Sequence, residues 1–170
     1  MSRKRRAALA AALIAVLLVS VNVLPSGAQE PPPPIASEFL TDRAVFTDDV
    51  DLKIKNKLDG KRTQVVNAKD PSRTVVVRFT VQPGAQFPWH PHRGPVVVNI
   101  VEGELVYVGA EDCVEREYPA GTAFIDAGHG HVHSAFNPTD EATVFVATFF
   151  EAPAEGSLLI PAEEPTDCTI

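Results

Sequence analysis

The five histidines of this 170-residue chain are the side chains best suited to chemistry, and all of them lie between residues 90 and 133. They form two clusters, one with His90 and His92, and the other with His129, His131 and His133. Residues two apart in a β-strand point to the same side, so each cluster can present a pair of imidazoles on one face. Imidazole is a common protein ligand of Zn, Fe, Ni and Cu.

A single histidine pair is weak support for a metal site, because surface or structural roles explain most such pairs. Two same-face pairs inside strand-like segments, in a chain with no histidine outside the two clusters, favour metal binding. If the two strands face each other across a barrel, three or four imidazoles can converge on one point. The spacing therefore predicts a metal centre that draws on both clusters.

The segments around the histidines are typical of short β-strands separated by turns. Val50, Leu52 and Ile54 alternate with polar residues, and β-branched runs occupy 74–81, 96–101 and 143–150. The chain also has 15 prolines and 10 glycines, which suit many turns. We count about nine or ten short strands and no long amphipathic helix, which predicts an all-β sandwich or closed barrel.

Two motifs resemble those of the cupin family. Gly84, five further residues, and His90-Pro91-His92, followed by Gly103, are similar to the first cupin motif. Pro119-Ala120-Gly121 and the later 133–137 segment, His-Ser-Ala-Phe-Asn, are similar to the second. The resemblance covers roughly residues 50–150 and implies a jelly-roll β-barrel, the double-stranded β-helix, with one divalent metal ion inside. Fe, Mn, Ni, Cu and Zn all remain open as its identity.

Carried over by position, the resemblance makes His90, His92 and His133 the metal ligands. The family's usual glutamate ligand falls on Val96, so this chain would present a neutral three-histidine face with positions open to water or substrate. The choice between His131 and His133 stays open, although the His-x-x-x-Asn spacing favours His133. We expect His131 to point to the same interior, as a fourth ligand or a catalytic acid/base, and His129 to be a loop residue.

Further side chains are candidates for the pocket around this site. Val96, Val98 and Phe145 lie on strand faces that we expect to line the barrel interior. Gln86 lies an even number of residues before His90 and could face the metal. Trp89 is either a wall of the pocket mouth or an ordinary core residue. The interior would be largely apolar with a few polar groups, which is the usual construction of a small-molecule site.

The N-terminal residues have the layout of a secretory signal peptide. Basic residues at 3–6 precede an apolar run from Ala7 to Val19, and Ser26-Gly27-Ala28 fits a cleavage site before Gln29. The alternative is an uncleaved membrane anchor. We predict a signal peptide at 1–28, a Pro-rich spacer and N-terminal segment at 29–49 with a short helix or loop, and a barrel at 50–152. The protein would then be secreted or exported to the cell envelope, without membrane attachment after cleavage.

Two cysteines, Cys113 and Cys168, lie in the part that would be exported. An oxidising compartment favours a disulfide between them over free or metal-bound thiols. Such a bond would tie a C-terminal tail, residues 153–170, back to the barrel, where Ser157–Ile160 is a candidate last strand. The formal charge of −7 argues against a nucleic-acid partner, because phosphate binding requires a basic face.

These features favour a secreted metal-dependent cupin enzyme, dioxygenase-like, acting on a small organic molecule. An isomerase or lyase could use the same site. The competing functions are a non-catalytic barrel that binds a metal or small ligand, and a structural barrel whose histidines are vestigial, because one fold supports many functions. Cupins often dimerise, so a homodimer is also an expectation.

Overall fold

The computed structural model describes residues 34–168, and within that range regular structure consists of strands. The predicted signal peptide lies outside the described residues. No helix in the described part is long and apolar enough to cross a membrane. The strands are β1 (Ile35–Phe39), β2 (Ala44–Val45), β3 (Leu52–Asn56), β4 (Gln64–Ala68), β5 (Arg73–Val81), β6 (Val96–Glu102), β7 (Glu104–Gly109), β8 (Glu115–Pro119), β9 (Ala123–Asp126), β10 (His133–Phe136) and β11 (Thr143–Phe149).

The strands form two main antiparallel sheets and one separate hairpin. The larger sheet has the order β1-β5-β11-β6-β9, with β2 also paired to β5. The smaller sheet has the order β10-β7-β8, and β3 pairs with β4 alone. This arrangement confirms the predicted all-β jelly roll, in which strands distant in sequence become neighbours across two sheets.

The core lies between the two sheets and follows the alternation of the strands. Every second residue of β5, β6 and β11 is buried, including Val77 in β5, Val98 in β6 and Ala147 in β11. Phe79 and Phe145 stack within it, with ring centroids 5.0 Å apart. Inward side chains of period two therefore build the barrel wall, as the sequence pattern predicts.

The N-terminal boundary of the barrel differs from the prediction. Residues 35–39, which we expected to belong to the Pro-rich spacer and N-terminal segment, form β1 and pair with residues 77–81 of β5. Residues 44–45 form β2, so of the short helix or loop expected in this segment the described chain shows no helix. The proline run of the sequence ends at Pro34, and the residues after it have the backbone N–H groups needed to pair with the edge of β5.

The C-terminal tail follows the barrel surface without forming the strand expected at Ser157–Ile160. Two of its amides nevertheless donate to the loop that carries the first histidine cluster: Ile160 N to Pro91 O at 3.1 Å, and Ala162 N to Trp89 O at 3.0 Å. The predicted disulfide between Cys113 and Cys168 is confirmed. The tail is thus attached to the histidine loop by hydrogen bonds and to the β7–β8 turn by a covalent bond.

The β3–β4 hairpin is held against the barrel by an ion-pair cluster around Asp112. Its Oδ2 atom lies 2.8 Å from Nη2 of Arg116 and 2.9 Å from Nζ of Lys61 in the β3–β4 connection. Burial raises the pKa of Asp112, but hydrogen bonds from Arg116 and Lys61 outweigh that effect and lower the pKa to about 2. The charged carboxylate is therefore favoured by the folded state.

We expect removal of the disulfide by Cys113→Ser/Cys168→Ser to lower the free energy of unfolding by about 4 kcal/mol, because the bond closes a long loop in the unfolded chain. Chemical denaturation with and without reductant measures the loss. Reductant should bring the wild-type protein near the double variant and leave the variant unchanged. A loss below about 1 kcal/mol would contradict the expectation.

We expect Asp112→Asn to lower the free energy of unfolding at pH 7 by about 1–2 kcal/mol. The pKa of Asp112 in the folded state lies below its ordinary value of 3.8, so this contribution is complete above pH 3.8 and disappears as the pH falls towards about 2. Urea denaturation at several pH values measures it. Asp140→Asn, at an exposed acidic residue, is the matched control and should have little effect. A difference between the two variants that persists unchanged at the lowest pH would contradict the assignment.

Candidate metal centre

The first histidine cluster lies in the loop between β5 and β6, where Pro88 and Pro91 interrupt any continuous strand. His90 N donates to His133 O at 2.9 Å, and His133 N donates to His90 O at 3.0 Å. This isolated antiparallel bridge joins the loop to the first residue of β10. His90 and His92 therefore share a side through a proline-shaped loop, and the strand alternation invoked from the sequence does not apply to them.

Three of the five histidines converge: His90, His92 and His133. One ring nitrogen from each lies within 4.8 Å of the others. The centroids of the His90 and His133 rings are 4.4 Å apart, and that of His92 is 4.8 Å from the first and 5.1 Å from the second. All three side chains are buried. This is the set that the sequence resemblance implies.

Each of these rings has a backbone carbonyl acceptor near its Nδ1 atom. The Nδ1–H of His90 donates to Pro88 O at 2.6 Å, and that of His92 donates to Leu158 O at 3.0 Å. For His133, Nδ1 donates to His131 O at 3.3 Å. A donor at Nδ1 leaves Nε2 with a free lone pair, so all three rings hold the tautomer that can ligate a metal through Nε2.

Burial keeps the histidine pair of the loop neutral. Desolvation is the main cause that lowers the pKa of His90 to about 3, and the neighbouring His133 and His92 lower it further. Desolvation also lowers the pKa of His92, against an opposing effect from the carboxylate of Asp126. Neutral imidazole is the form that binds a metal ion. The histidine rings therefore offer Nε2 atoms as nitrogen donors, and nitrogen donors of this kind suit a divalent transition metal.

Asp126 and Tyr107 belong to the same site, and the sequence analysis did not single them out. The Tyr107 hydroxyl donates to Oδ2 of Asp126 at 2.9 Å, and that oxygen lies 3.3 Å from Nδ1 of His133. The Tyr107 ring also stacks on His133, with centroids 5.0 Å apart. The signal was available: Asp126 lies two residues after Phe124, on the inward face of the same strand.

The convergent rings open into a cavity that is mostly apolar. Val96, Val98 and Phe145 line it, as predicted, together with further aromatic side chains and Leu159 of the tail. The volume open to the centres of water-sized molecules is about 40 Å³. This is well below the roughly 300–1,000 Å³ of common small-molecule pockets, so the cavity admits only a very small group.

Gln86 and Trp89 lie elsewhere. The Gln86 amide donates to Oγ of Ser134 at 3.2 Å, and both predicted pocket residues line a separate groove with Ala162 and Glu164. Trp89 is buried in a small second core with Val106, Val108 and Cys168. Of the two roles considered for Trp89, the structure therefore shows core packing.

The expected inward orientation of His131 is wrong. The residue precedes β10, and its side chain is 38% exposed, with Nδ1 3.5 Å from Nε2 of Gln64 and 4.0 Å from Oε1 of Glu111. What His131 contributes to the site is its backbone carbonyl. His129 is a loop residue, as expected, and its Nε2 lies 2.7 Å from Oε2 of Glu151.

A family model described as "Cupin domain" matches residues 77–149, which run from β5 to the end of β11. The match includes all three convergent histidines and the inward faces of β6 and β11. No curated protein matches the chain.

Solved structures of related barrels show partial similarity. The polyketide cyclase RemF from Streptomyces resistomycificus is 19% identical over 55% of this chain and 63% of its own, with a TM-score of 0.45. An RmlC-like cupin from Shewanella frigidimarina is 28% identical over 46% of this chain and 67% of its own, with a TM-score of 0.41. KdgF from Halomonas sp. is 16% identical over 74% of this chain and 87% of its own, with a TM-score of 0.47.

The chain thus spans less than two thirds of the RemF structure. Its family assignment depends on the matched domain and on its own antiparallel barrel with three inward histidines. On these grounds residues 77–149 of this chain form a cupin domain.

Proposed function

We propose that this cupin binds one divalent metal ion through His90, His92 and His133 and acts as a metal-dependent, dioxygenase-like enzyme on a small organic molecule. The observation that carries the proposal is the set of three buried imidazoles, each with Nδ1 bonded to a carbonyl and Nε2 free. A bound ion of Fe, Mn, Ni, Cu or Zn would supply Lewis-acid or redox chemistry at its remaining coordination positions.

The number of protein ligands supports catalysis over a purely structural metal. Structural sites usually close the coordination shell with four protein ligands, whereas catalytic sites keep a position for water or substrate. In the described part of the chain, the cluster holds three histidines and no fourth His, Cys, Asp or Glu. The apolar wall beside it would exclude bulk water from a bound molecule.

The cavity supports a restricted class of ligand. Within residues 34–168 its lining includes no Lys or Arg, and Asp126 places a carboxylate there. A second anionic group, away from the metal, would find no cation and would be repelled by Asp126. We infer a small molecule with a single ligating oxygen group and an otherwise apolar body.

The runner-up function is a barrel that binds a metal or small ligand without turnover, and the cavity volume favours it. A cavity of about 40 Å³ is far smaller than the roughly 300–1,000 Å³ of common small-molecule pockets, so it admits only a very small ligand. A larger substrate would require Leu159 and the tail around it to move outward. The disulfide supports export for either function, because such bonds persist in oxidising compartments, and export remains part of the proposal.

We expect the purified protein to contain about one equivalent of Fe, Mn, Ni or Cu by elemental analysis, and His90→Ala/His92→Ala to contain none. His133→Ala should lose the metal, whereas His131→Ala and His129→Ala, which change histidines outside the convergent set, should retain it. Circular dichroism verifies that each variant is folded. Zinc in place of a redox metal would redirect the function to hydrolytic, lyase or structural roles. Folded wild-type protein that takes up no metal even after reconstitution would contradict the proposal.

We expect the Co²⁺-loaded protein to bind small monocarboxylates at least about tenfold more tightly than dicarboxylates of similar size, because the lining offers no cation for the second charge. Changes in the visible absorption of Co²⁺ report binding. Leu159→Ala, which enlarges the cavity, should relax the size limit but keep the charge preference. Equal or tighter binding of the dicarboxylate would contradict the ligand class. Oxygen uptake with the same compounds then separates an enzyme from a binder.

A further inference from the structure

Asp126 is a buried acid that the histidine cluster alone does not explain. Its side chain is at the end of β9 and has 2% relative exposure. Among the described residues lining the cavity, it is the one with a carboxylate. A buried carboxylate is costly unless a positive charge or several hydrogen bonds compensate for it. Among the described residues, no Lys or Arg lines the cavity, and the one ion-pair partner of Asp126 is His133.

The two oxygens of this carboxylate have different surroundings. Oδ1 accepts a hydrogen bond from Gly128 N at 2.9 Å, which closes the turn after β9. Oδ2 accepts from the Tyr107 hydroxyl at 2.9 Å and lies 3.3 Å from Nδ1 of His133. A role in the turn alone would need only Oδ1. Tyr107 and the barrel wall hold Oδ2 on the edge of the His133 ring that faces away from Nε2.

The register places this acid opposite an apolar residue of the same cavity. Asp126 and Val96 are directly paired between β9 and β6, and both side chains are buried and line the cavity. The two positions are therefore alternative places for one negative charge beside the same cluster. At Asp126 the negative charge lies beside the Nδ1 edge of the His133 ring. A carboxylate at position 96 would instead lie on β6, the strand paired with β9.

From this arrangement we propose that Asp126 is a positioning residue for the metal centre, which fixes His133 and supplies the fixed negative charge that offsets a divalent cation on three neutral imidazoles. The inference rests on the proposed function, since it needs the histidines to bind a metal ion. A carboxylate near the Nδ1 edge of a ligating histidine orients the ring and makes Nε2 a stronger donor. Tyr107 in turn holds the carboxylate through its hydroxyl.

The test is a titration of the full-length protein with Co²⁺ alone, in competition with a chelator, followed by visible absorption. We expect Asp126→Asn, which keeps the size and one acceptor oxygen, to weaken Co²⁺ binding by about 10- to 100-fold. Glu102→Gln, which removes the same charge from an exposed position on β6, should leave binding within about twofold. Equal losses in both variants would overturn the proposal, because the effect would then reflect net charge.

A double-variant cycle separates the charge from a structural role. We expect Val96→Glu to strengthen Co²⁺ binding at least about tenfold more in the Asp126→Asn background than in the wild type, because the new carboxylate then replaces a missing charge. The proposal would be overturned by the same gain in both backgrounds. It would also be overturned if Val96→Glu restored nothing to an Asp126→Asn protein that is folded and has lost binding.

A milder variant covers the case in which Asp126→Asn does not fold. Tyr107→Phe removes only the hydroxyl that holds Oδ2, and we expect it to weaken Co²⁺ binding by about two- to tenfold. Unchanged binding in Tyr107→Phe, when Asp126→Asn cannot be measured, would overturn the proposal. If the wild-type protein binds no Co²⁺, the proposed function fails together with this inference. If the wild type binds it and Asp126→Asn binds it equally well, only this inference fails.

Discussion

The reciprocal backbone hydrogen bonds between His90 and His133 are the contact on which the site depends. They connect the β5–β6 loop with the first residue of β10, and so join the part of the chain that leaves the larger sheet to the smaller one. The pair also sets the separation of the two rings, because directly opposed residues in an antiparallel bridge hold their side chains close together. His92 then approaches from the same loop, two residues beyond His90.

A second requirement follows once the rings are buried. Each neutral imidazole brings one N–H into an apolar barrel, and a buried donor without an acceptor is destabilising by about 1–3 kcal/mol. The chain supplies a carbonyl for each: Pro88 and His131, both two residues before the histidine they serve, and Leu158 from the distant tail. The same three hydrogen bonds therefore stabilise the folded state and leave each Nε2 atom with a free lone pair.

The sequence was sufficient for the parts of the structure that follow from local pattern. Alternation along β5, β6 and β11 predicted the inward faces, and the motif spacing favoured His133 beside His90 and His92 but left His131 open as a fourth member of the cluster. Prediction failed where tertiary contacts decide: β1 exists because the edge of β5 was open to it, and His131 points outward because β10 begins only at His133. The inward orientation of Asp126 could have been predicted from the two-residue period of β9. Its closeness to His133 could not, because that distance depends on how the two sheets pack.

The tail contributes to the histidine cluster through main-chain atoms and not through side chains. Leu158 offers His92 a main-chain oxygen, and the amides of Ile160 and Ala162 bond to the loop beside it. Side-chain replacement in this segment removes none of these groups, except that proline would delete an amide donor. These contacts depend on the path and the length of the tail, whose far end is fixed by the disulfide of Cys168. Insertions, deletions and cyclic or truncated forms would therefore perturb the centre in ways that an alanine scan of the tail would miss.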